Sequence, residues 1–537
     1  MISKSDKTEF RSSLFRHLDG IVTAPTAYAL LEKGVIDHFR DHKKADLHEL
    51  SRLFKANEGY LNVALRVLSS QGWLLQKADN QEDAIEYELT SKGEIGIQYF
   101  HWYKEAAELL KYSEKFHPRK FEKAPFLLLE SLFQHFKENF GASISEDEEV
   151  QSVQHQILSH IEGIILGPTI VHLGMSGMFH KYFMEARFKP EEFHKDPTSF
   201  QRLLDIFVHF GWFLNKNDTY QFTEKGIFFA KRASAYGVTV SYIPTLRKLD
   251  DLIFGNPKVL KGDGSAGEEA HVDREMNVWG SGGAHANYFK IVDEIVIDLF
   301  NRPIQEQPKG VLDMGCGNGA FLQHLYNVIE KHTERGKMLD EYPLALVGVD
   351  YNETALKISK ANLIQADIWA KVIWGDIGRP ELLAVDLKEN YDIELKDLLN
   401  VRTFLDHNRI WQEPQQTDAN RVSKSSGAFA YEGQRISNNL VEDSLLEHLK
   451  KWEPFVKKFG LLIIELHTIP AALTAANLGA TGATAYDATH GYSDQYILEE
   501  PVFKSVAAEA GLFPVQTYSR KFPNSELATV SINLFRN

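Results

Sequence analysis

The stretch Val311 to Gly319, VLDMGCGNG, decides the reading of this chain. Its apolar start reads as a buried strand that runs straight into a turn carrying glycine at three alternate positions, Gly315, Gly317 and Gly319. Glycines there let the backbone approach a ligand closely and open the following helix with its positive end toward it. Asp313 places a carboxylate beside the turn. The spacing D-x-G-x-G-x-G departs from the dinucleotide fingerprint G-x-G-x-x-G, so a pyrophosphate fits less well than a methionine-derived nucleoside.

Working outward, Leu344 to Asp350 (LALVGVD) is a second apolar run that ends in an acid, and Lys371 to Asp376 (KVIWGD) is a third. Further runs at Asp397 to Val401 and Gly460 to Leu466 alternate with helical patterns, as in a doubly wound α/β sheet. Phe513 to Ser519 and Glu526 to Phe535 read as an antiparallel hairpin on the sheet edge.

This ordered series resembles the class I S-adenosylmethionine methyltransferases over about residues 275 to 537. The resemblance implies a Rossmann-like methyltransferase sheet. It implies that Asp313 and Gly315 to Gly319 lie against the methionine part of S-adenosyl-L-methionine, that Asp350 bonds the ribose hydroxyls, and that Asp376 and Ile377 reach the adenine edge. A charged insertion at Glu330 to Glu341 lengthens the first helical crossover.

At 537 residues the chain is too long for one core and points to several domains. A formal charge of −15 argues against polyanionic partners. The lone cysteine, Cys316, cannot close an intrachain disulfide and fits a reducing compartment. The N-terminus has no apolar core of signal-peptide type, and the most apolar stretch, Ile161 to Phe179, contains Glu162, Pro168 and His172. A cytoplasmic enzyme with no membrane partner is the expectation.

The first half repeats itself. His17-Leu-Asp-Gly20 and Pro25-Thr26 recur 143 residues later as His160-Ile-Glu-Gly163 and Pro168-Thr169. Gly72-Trp73 recurs as Gly211-Trp212, and the segment Tyr87 to Gly93 recurs as Tyr220 to Gly226. Each copy reads as helices followed by a short hairpin, the layout of a winged helix. The expected domains are 1–145 and 146–255 for the two α+β repeats and 256–537 for the methyltransferase. Residues 1–100 hold 13 Lys and Arg against 15 Asp and Glu, which disfavours nucleic acid. The repeats are expected to pack on each other, on the catalytic domain or on a second chain as a homodimer, and to wall a substrate pocket.

A Gly- and Pro-rich linker follows at about Asn256 to Ala270, and then Trp279 to His285, a small-residue segment ahead of a helix at Tyr288 to Phe300. In the methyltransferase fold such a segment closes over the methionine end, so Ser281 and Gly282 are candidate cofactor contacts.

Methyl transfer from a sulfonium is an in-line displacement that needs an aligned nucleophile and often a base. After the fourth strand the chain reads Asn400 to Arg409, and His407 there is a candidate general base, near where O-methyltransferases with an N-terminal winged helix carry theirs. Beyond the fifth strand, Tyr486 to Gln495 reads as a polar loop holding His490 and Gln495. His407, His490 and Gln495 together can form one face of an octahedral site for a divalent or ferric ion (Fe or Mn). Asp406, Asp487, Asp494 and His467 are competing ligands.

The segments LDHNR (405–409), GAFAYEGQ (427–434) and HGYSDQY (490–496) resemble the metal-dependent C-methyltransferases of polyketide loading modules, which implies an enolisable substrate such as malonyl on an acyl carrier protein. A small-molecule O-methyltransferase with His407 as base stays open, as does a winged-helix DNA-binding regulator with a cofactor-sensing domain.

Overall fold

The computed structural model describes residues 2–112, 116–117, 120–121, 123–261 and 270–537. Most of the expected linker therefore lies outside the described residues.

The chain opens with α1 (Lys4–Glu32), whose first turn is closed by a reciprocal capping box between Ser3 and Asp6. After α2 (Glu58–Ser70) comes the expected hairpin, Leu74–Asp79 with Ala84–Leu89, and Lys44–Asp46 joins it as a third strand. In the second copy α3 (Glu148–Met175) stands where α1 stood, and the hairpin is Phe213–Lys216 with Thr219–Phe222. Its third strand has shrunk to one bridge, Phe188 to Tyr220.

The repetition extends to atomic detail. Thr90 Oγ donates to the Gly72 carbonyl and accepts from Gly93 N; Thr223 does the same with Gly211 and Gly226. A methyl on either Gly93 or Gly226 would lie 2.0 Å from a tryptophan carbonyl, of Trp73 or of Trp212. The copies also pack on each other. α1 and α3 cross where Gly20 meets His160 and Gly163 meets His17; an added Cβ would come within 2.3 Å and 2.5 Å of the opposing Cα. By length and composition α3 alone among the described helices could cross a membrane, yet 78% of its apolar window is buried against the rest of the protein.

The methyltransferase half begins with α4 (Arg274–Phe300) and continues through β1 (Gly310–Met314), α5 (Ala320–His332), β2 (Ala345–Asp350), β3 (Lys371–Trp374) and β4 (Leu398–Thr403). There follow α6 (Asn438–Val456), β5 (Leu461–Leu466), α7 (Ala483–Gly491), β6 (Phe513–Pro514), β7 (Arg520–Phe522) and β8 (Val530–Arg536). The sheet order is β3-β2-β1-β4-β5-β8-β6, with β7 also on β8. β1 to β5 are parallel and β8 runs antiparallel to β5, as the apolar runs and the terminal hairpin predict. Strand order reverses between β1 and β4, so a crevice opens above their carboxyl ends, where ligands bind in such sheets.

Two local expectations are corrected. Trp279 to His285 does not precede a helix; it lies inside α4, which starts at Arg274. Its small residues have a packing reason, because α4 crosses the helix Ser234–Ser241 of the second repeat at Gly280 and Gly237, where an added Cβ would meet backbone at 2.6 Å. Tyr486 to Gly491 is likewise not loop but the second half of α7.

Candidate active site

The donor side forms around the glycine turn. Gly315, Gly317 and Gly319 have φ of 78°, 55° and 79°, which is why glycine stands at each. The turn is tied to β2 by Gly315 N and Cys316 N, both donating to the Val349 carbonyl. Among the described residues nothing lies within 4 Å of where a Gly317 side chain would be, so toward them the loop presents bare backbone. Asp350, at the end of β2, accepts from Gly317 N (2.9 Å) through one oxygen and from Asn352 N (2.9 Å) through the other. Each oxygen keeps a lone pair for a diol.

Asp313 is buried in β1, and burial, with help from the Asp350 charge, pushes its carboxyl up to about 7. Burial, and then the charges of Asp313 and Asp350, push the Cys316 thiol up to about 12, so it is no nucleophile. Asp376 forms a turn by accepting from Gly378 N (2.8 Å) and lines a small cavity with Arg409, Ser444 and His448. Ile377 is buried, and its carbonyl accepts from Trp452 Nε1 (2.7 Å). These residues and the turn fit a nucleoside cofactor. Ser281 Oγ donates to Val278 O in its own helix, and Gly282 is exposed.

The acceptor side forms over β4 and β5. His407 sits in a single helical turn, Asp406–Asn408, just past β4. Its Nδ1 pairs with Glu465 on the neighbouring strand at 2.5 Å, and Glu465 also accepts from His407 N (3.2 Å). His490 Nδ1 bonds the Tyr486 carbonyl one turn back (2.8 Å). The two imidazole centroids are 5.2 Å apart. Gln495 is pinned to both histidines' chain segments, because Gln495 N donates to the His490 carbonyl and Tyr496 N to that of His407. All three side chains are buried. Burial, and then the His407 charge, depress His490 to about 3, so its ring is neutral at any working pH.

With Nδ1 engaged on each ring, Nε2 is the nitrogen left for a ligand, the arrangement seen in metal-bound histidines. The competing ligands are used elsewhere. Asp487 pairs with Arg66, Asp494 with Tyr60 and Lys261, Asp406 with Arg402 and His448, and His467 with Ser531 and the Leu498 carbonyl. Among the described residues no three His, Cys, Asp or Glu side chains cluster as a metal site.

The repeats hold this side together. Arg66 on α2 is buried and donates to Asp487 on α7 (2.9 Å), Thr468 Oγ1 (3.0 Å), the Ile469 carbonyl (2.8 Å) and the Ser426 carbonyl. The 427–434 insertion forms a hairpin, Phe429–Tyr431 with Gln434–Ile436, against Gly59 of the first repeat. From the second repeat, Tyr242 OH accepts from Gln495 Nε2. Sequence reasoning missed Glu465, Arg66 and Tyr242. Glu465 had a signal, as the one charge in the apolar run GLLIIEL; the other two are polar residues in helical patterns with nothing to mark them.

The parallel sheet, glycine turn and acidic strand ends define a class I S-adenosylmethionine-dependent methyltransferase, and this chain is one. More particularly, residues 269–533 match the family described as the AprA MT2-like domain. Residues 162–256 match the AprA winged helix domain and residues 10–76 the AprA N-terminal domain. No curated protein matches. Similar solved structures include the mitomycin 7-O-methyltransferase MmcR (13% identity, 72% of this chain and 98% of that one, TM-score 0.41). Two others are CalO1, a methyltransferase in calicheamicin biosynthesis solved with SAH (15%, 73% and 99%, 0.40), and the CurJ carbon methyltransferase (12%, 69% and 92%, 0.32).

Proposed function

We propose that this methyltransferase transfers its methyl group to an enolisable carbon of an acyl or keto substrate, with malonyl on an acyl carrier protein as the first substrate to test. His407, His490 and Gln495 hold a divalent or ferric ion. The observation that carries this reading is the imidazole pair 5.2 Å apart, each ring anchored through Nδ1, beside a buried amide. A base-catalysed O-methyltransferase needs one histidine there, and a second neutral one 5.2 Å away has no part in it.

When bound, a metal ion supplies Lewis acidity toward a dicarbonyl, which lowers the pKa of the C–H between the carbonyls. The chain's own residues do the rest. Glu465 fixes the His407 ring and its tautomer, the Tyr486 carbonyl fixes His490, and burial keeps His490 unprotonated. Asp350 and the bare turn at Gly317 seat the donor's ribose, and Asp313 faces its methionine end. The arrangement aligns donor and acceptor across the crevice between β1 and β4 and excludes water.

The His407–Glu465 pair also supports a second reading, O-methylation with His407 as general base. The test is an assay with malonyl carrier protein and a phenolic panel, with methyl position read by mass spectrometry and NMR, with and without chelator. Carbon methylation lost on chelation supports the proposal. Oxygen methylation indifferent to chelator replaces it with the second reading.

A further inference from the structure

The helix Glu353–Gln365, between β2 and β3, has two faces of different use. The inner face holds the glycine turn. Leu356, Ser359 and Leu363 are buried there, Ser359 Oγ donates to the Gly317 carbonyl (2.9 Å), and Asn362 Nδ2 donates to the Asn318 carbonyl (3.0 Å). The outer face carries apolar residues where solvent would favour polar ones. Ile358 is 47% exposed and Ile364 66%, Ala361 is exposed between them, and Trp369, just past the helix, is 89% exposed. An apolar stripe on a helix so firmly seated marks a surface that another molecule covers.

The spacing says which molecule. Helix residues three apart lie about 60° apart around the axis and ~4.5 Å apart along it. Ile358, Ala361 and Ile364 therefore form an oblique stripe with its smallest member at the midpoint. A two-fold axis through Ala361 brings Ile358 of one copy against Ile364 of the other and leaves Ala361 facing itself. Only methyl groups meet at the closest point, so the two helix axes can approach. The charges agree with this register: Lys357 lies opposite Gln365 of the second copy and Lys360 opposite Asn362, so no lysine meets a lysine. Asp367, where the chain leaves the helix, stands near Lys357 of the second copy. Self-complementarity of this kind is the requirement of an isologous interface, and neither a membrane nor an unrelated partner would impose it on the sequence.

We propose that this chain pairs with a second copy of itself through the helix Glu353–Gln365, packed antiparallel about Ala361. The interface lies on the methyltransferase half and leaves the repeats packed on each other within their own chain, as α1 and α3 are. It sets the second copy against the helix that holds the glycine turn.

Sedimentation equilibrium of the full-length protein, loaded up to roughly 100 μM, tests the pairing; one helix face is a small interface, so a Kd of about 10 μM is expected. Ala361→Arg brings two guanidinium groups together on the axis and should weaken association roughly 100-fold, with melting temperature and S-adenosylhomocysteine affinity unchanged. Introduced cysteines check the register, because Cys316, the lone native cysteine, is buried. Under mild oxidation Ile358→Cys mixed with Ile364→Cys should form disulfide-linked dimers faster than either variant alone. Wild type that stays monomeric at the highest loading overturns the proposal and leaves the stripe to a different occupant. Ala361→Arg that associates within threefold of wild type overturns it by placing the contact elsewhere, on the repeats for instance. Should Ala361→Arg lose melting temperature, the cysteine pair decides alone: Ile358→Cys that cross-links with itself as fast as in the mixture overturns the antiparallel register.

Discussion

The donor side of this active site is made from one stretch of chain, Asp313 to Asp376, folded as consecutive strand-turn-helix units. The acceptor side is made from the ends of β4 and β5, from α7, and from contacts with both repeats that lie more than 200 residues away in sequence. The difference teaches that the candidate cofactor residues are placed by one local Rossmann-like unit, whereas the candidate acceptor residues are held by contacts that reach into both repeats. Perturbations should therefore separate the two sides.

The largest separation is expected from Arg66→Met. Removing the guanidinium strands the Asp487 carboxylate, whose pKa burial already raises, at the centre of α7. Breaking a buried ion pair from one side costs about 3–5 kcal/mol. Local opening of α7 should become correspondingly easier, with amide hydrogen exchange there roughly 100-fold faster while β1 to β3 keep their protection. Uniform loss of protection across both sides would show that the donor side is not independent.

The converse variant is Asp350→Ala. It removes a charged acceptor from the ribose diol, worth about 3 kcal/mol, so S-adenosylhomocysteine affinity should fall roughly 100-fold by calorimetry. Exchange of α7 should stay unchanged. Affinity within threefold of wild type would remove Asp350 from the ribose site.

A smaller effect appears in acid. His490 titrates near 3 in the folded protein and near 6.5 when unfolded, because burial disfavours the imidazolium. Below pH 6.5 the unfolded chain binds a proton that the native state refuses, so stability drops as pH falls from 6.5 toward 3. The slope from this group is at most about 1.4 kcal/mol per pH unit. His160, buried between the repeats and also held near 3, adds a similar slope. His490→Asn should remove the acceptor side's share and flatten the fall in melting temperature of metal-stripped protein between pH 6.5 and 4.5. An unaltered slope would mean that His490 is solvated.

The same contrast explains what could be read from sequence. VLDMGCGNG, the acids at or just past the ends of β2 and β3, and the terminal antiparallel pairing are short-range patterns, each fixed by strand burial and turn chemistry within a few residues. They fold as expected except that Phe513 to Ser519 is strand only at Phe513–Pro514 and then forms a single helical turn, Gln516–Tyr518. His407, His490 and Gln495 do come together, but the reason is not local. Their geometry depends on Glu465 across a strand pair and on Tyr242 across a domain boundary. The small residues around Ser281 read as a segment ahead of a helix but lie inside one, because glycine serves helix crossings as well as loops, as Gly280 does against Gly237. The polar stretch Tyr486 to His490 misled for a related reason. Its polar groups are paired inside the protein, with Arg66, Thr468 and a carbonyl, so α7 is a buried helix where polarity suggested a loop.

The smallest predicted effect probes the donor side alone. Asp313 is held near 7 by burial first and by the Asp350 charge second, so near neutrality the cofactor-free protein carries it partly protonated. S-Adenosylmethionine brings a sulfonium and an ammonium, and positive charge close to Asp313 favours the carboxylate. Binding must then lower the Asp313 pKa and expel a proton wherever the free protein still holds one, that is at and below about pH 7. By linkage, affinity tightens as pH rises from 6 to 8 and levels off above, by at most about 1.4 kcal/mol per unit. Calorimetry at pH 6.5 in buffers of different ionisation enthalpy should register a fraction of a proton released per cofactor bound, falling toward zero at pH 8.5 and absent in Asp313→Asn. Proton uptake in place of release, or the same release in the Asn variant, would sink the assignment. Because α7 and the repeats take no part in this equilibrium, Arg66→Met should leave the proton count untouched even while its acceptor side is open.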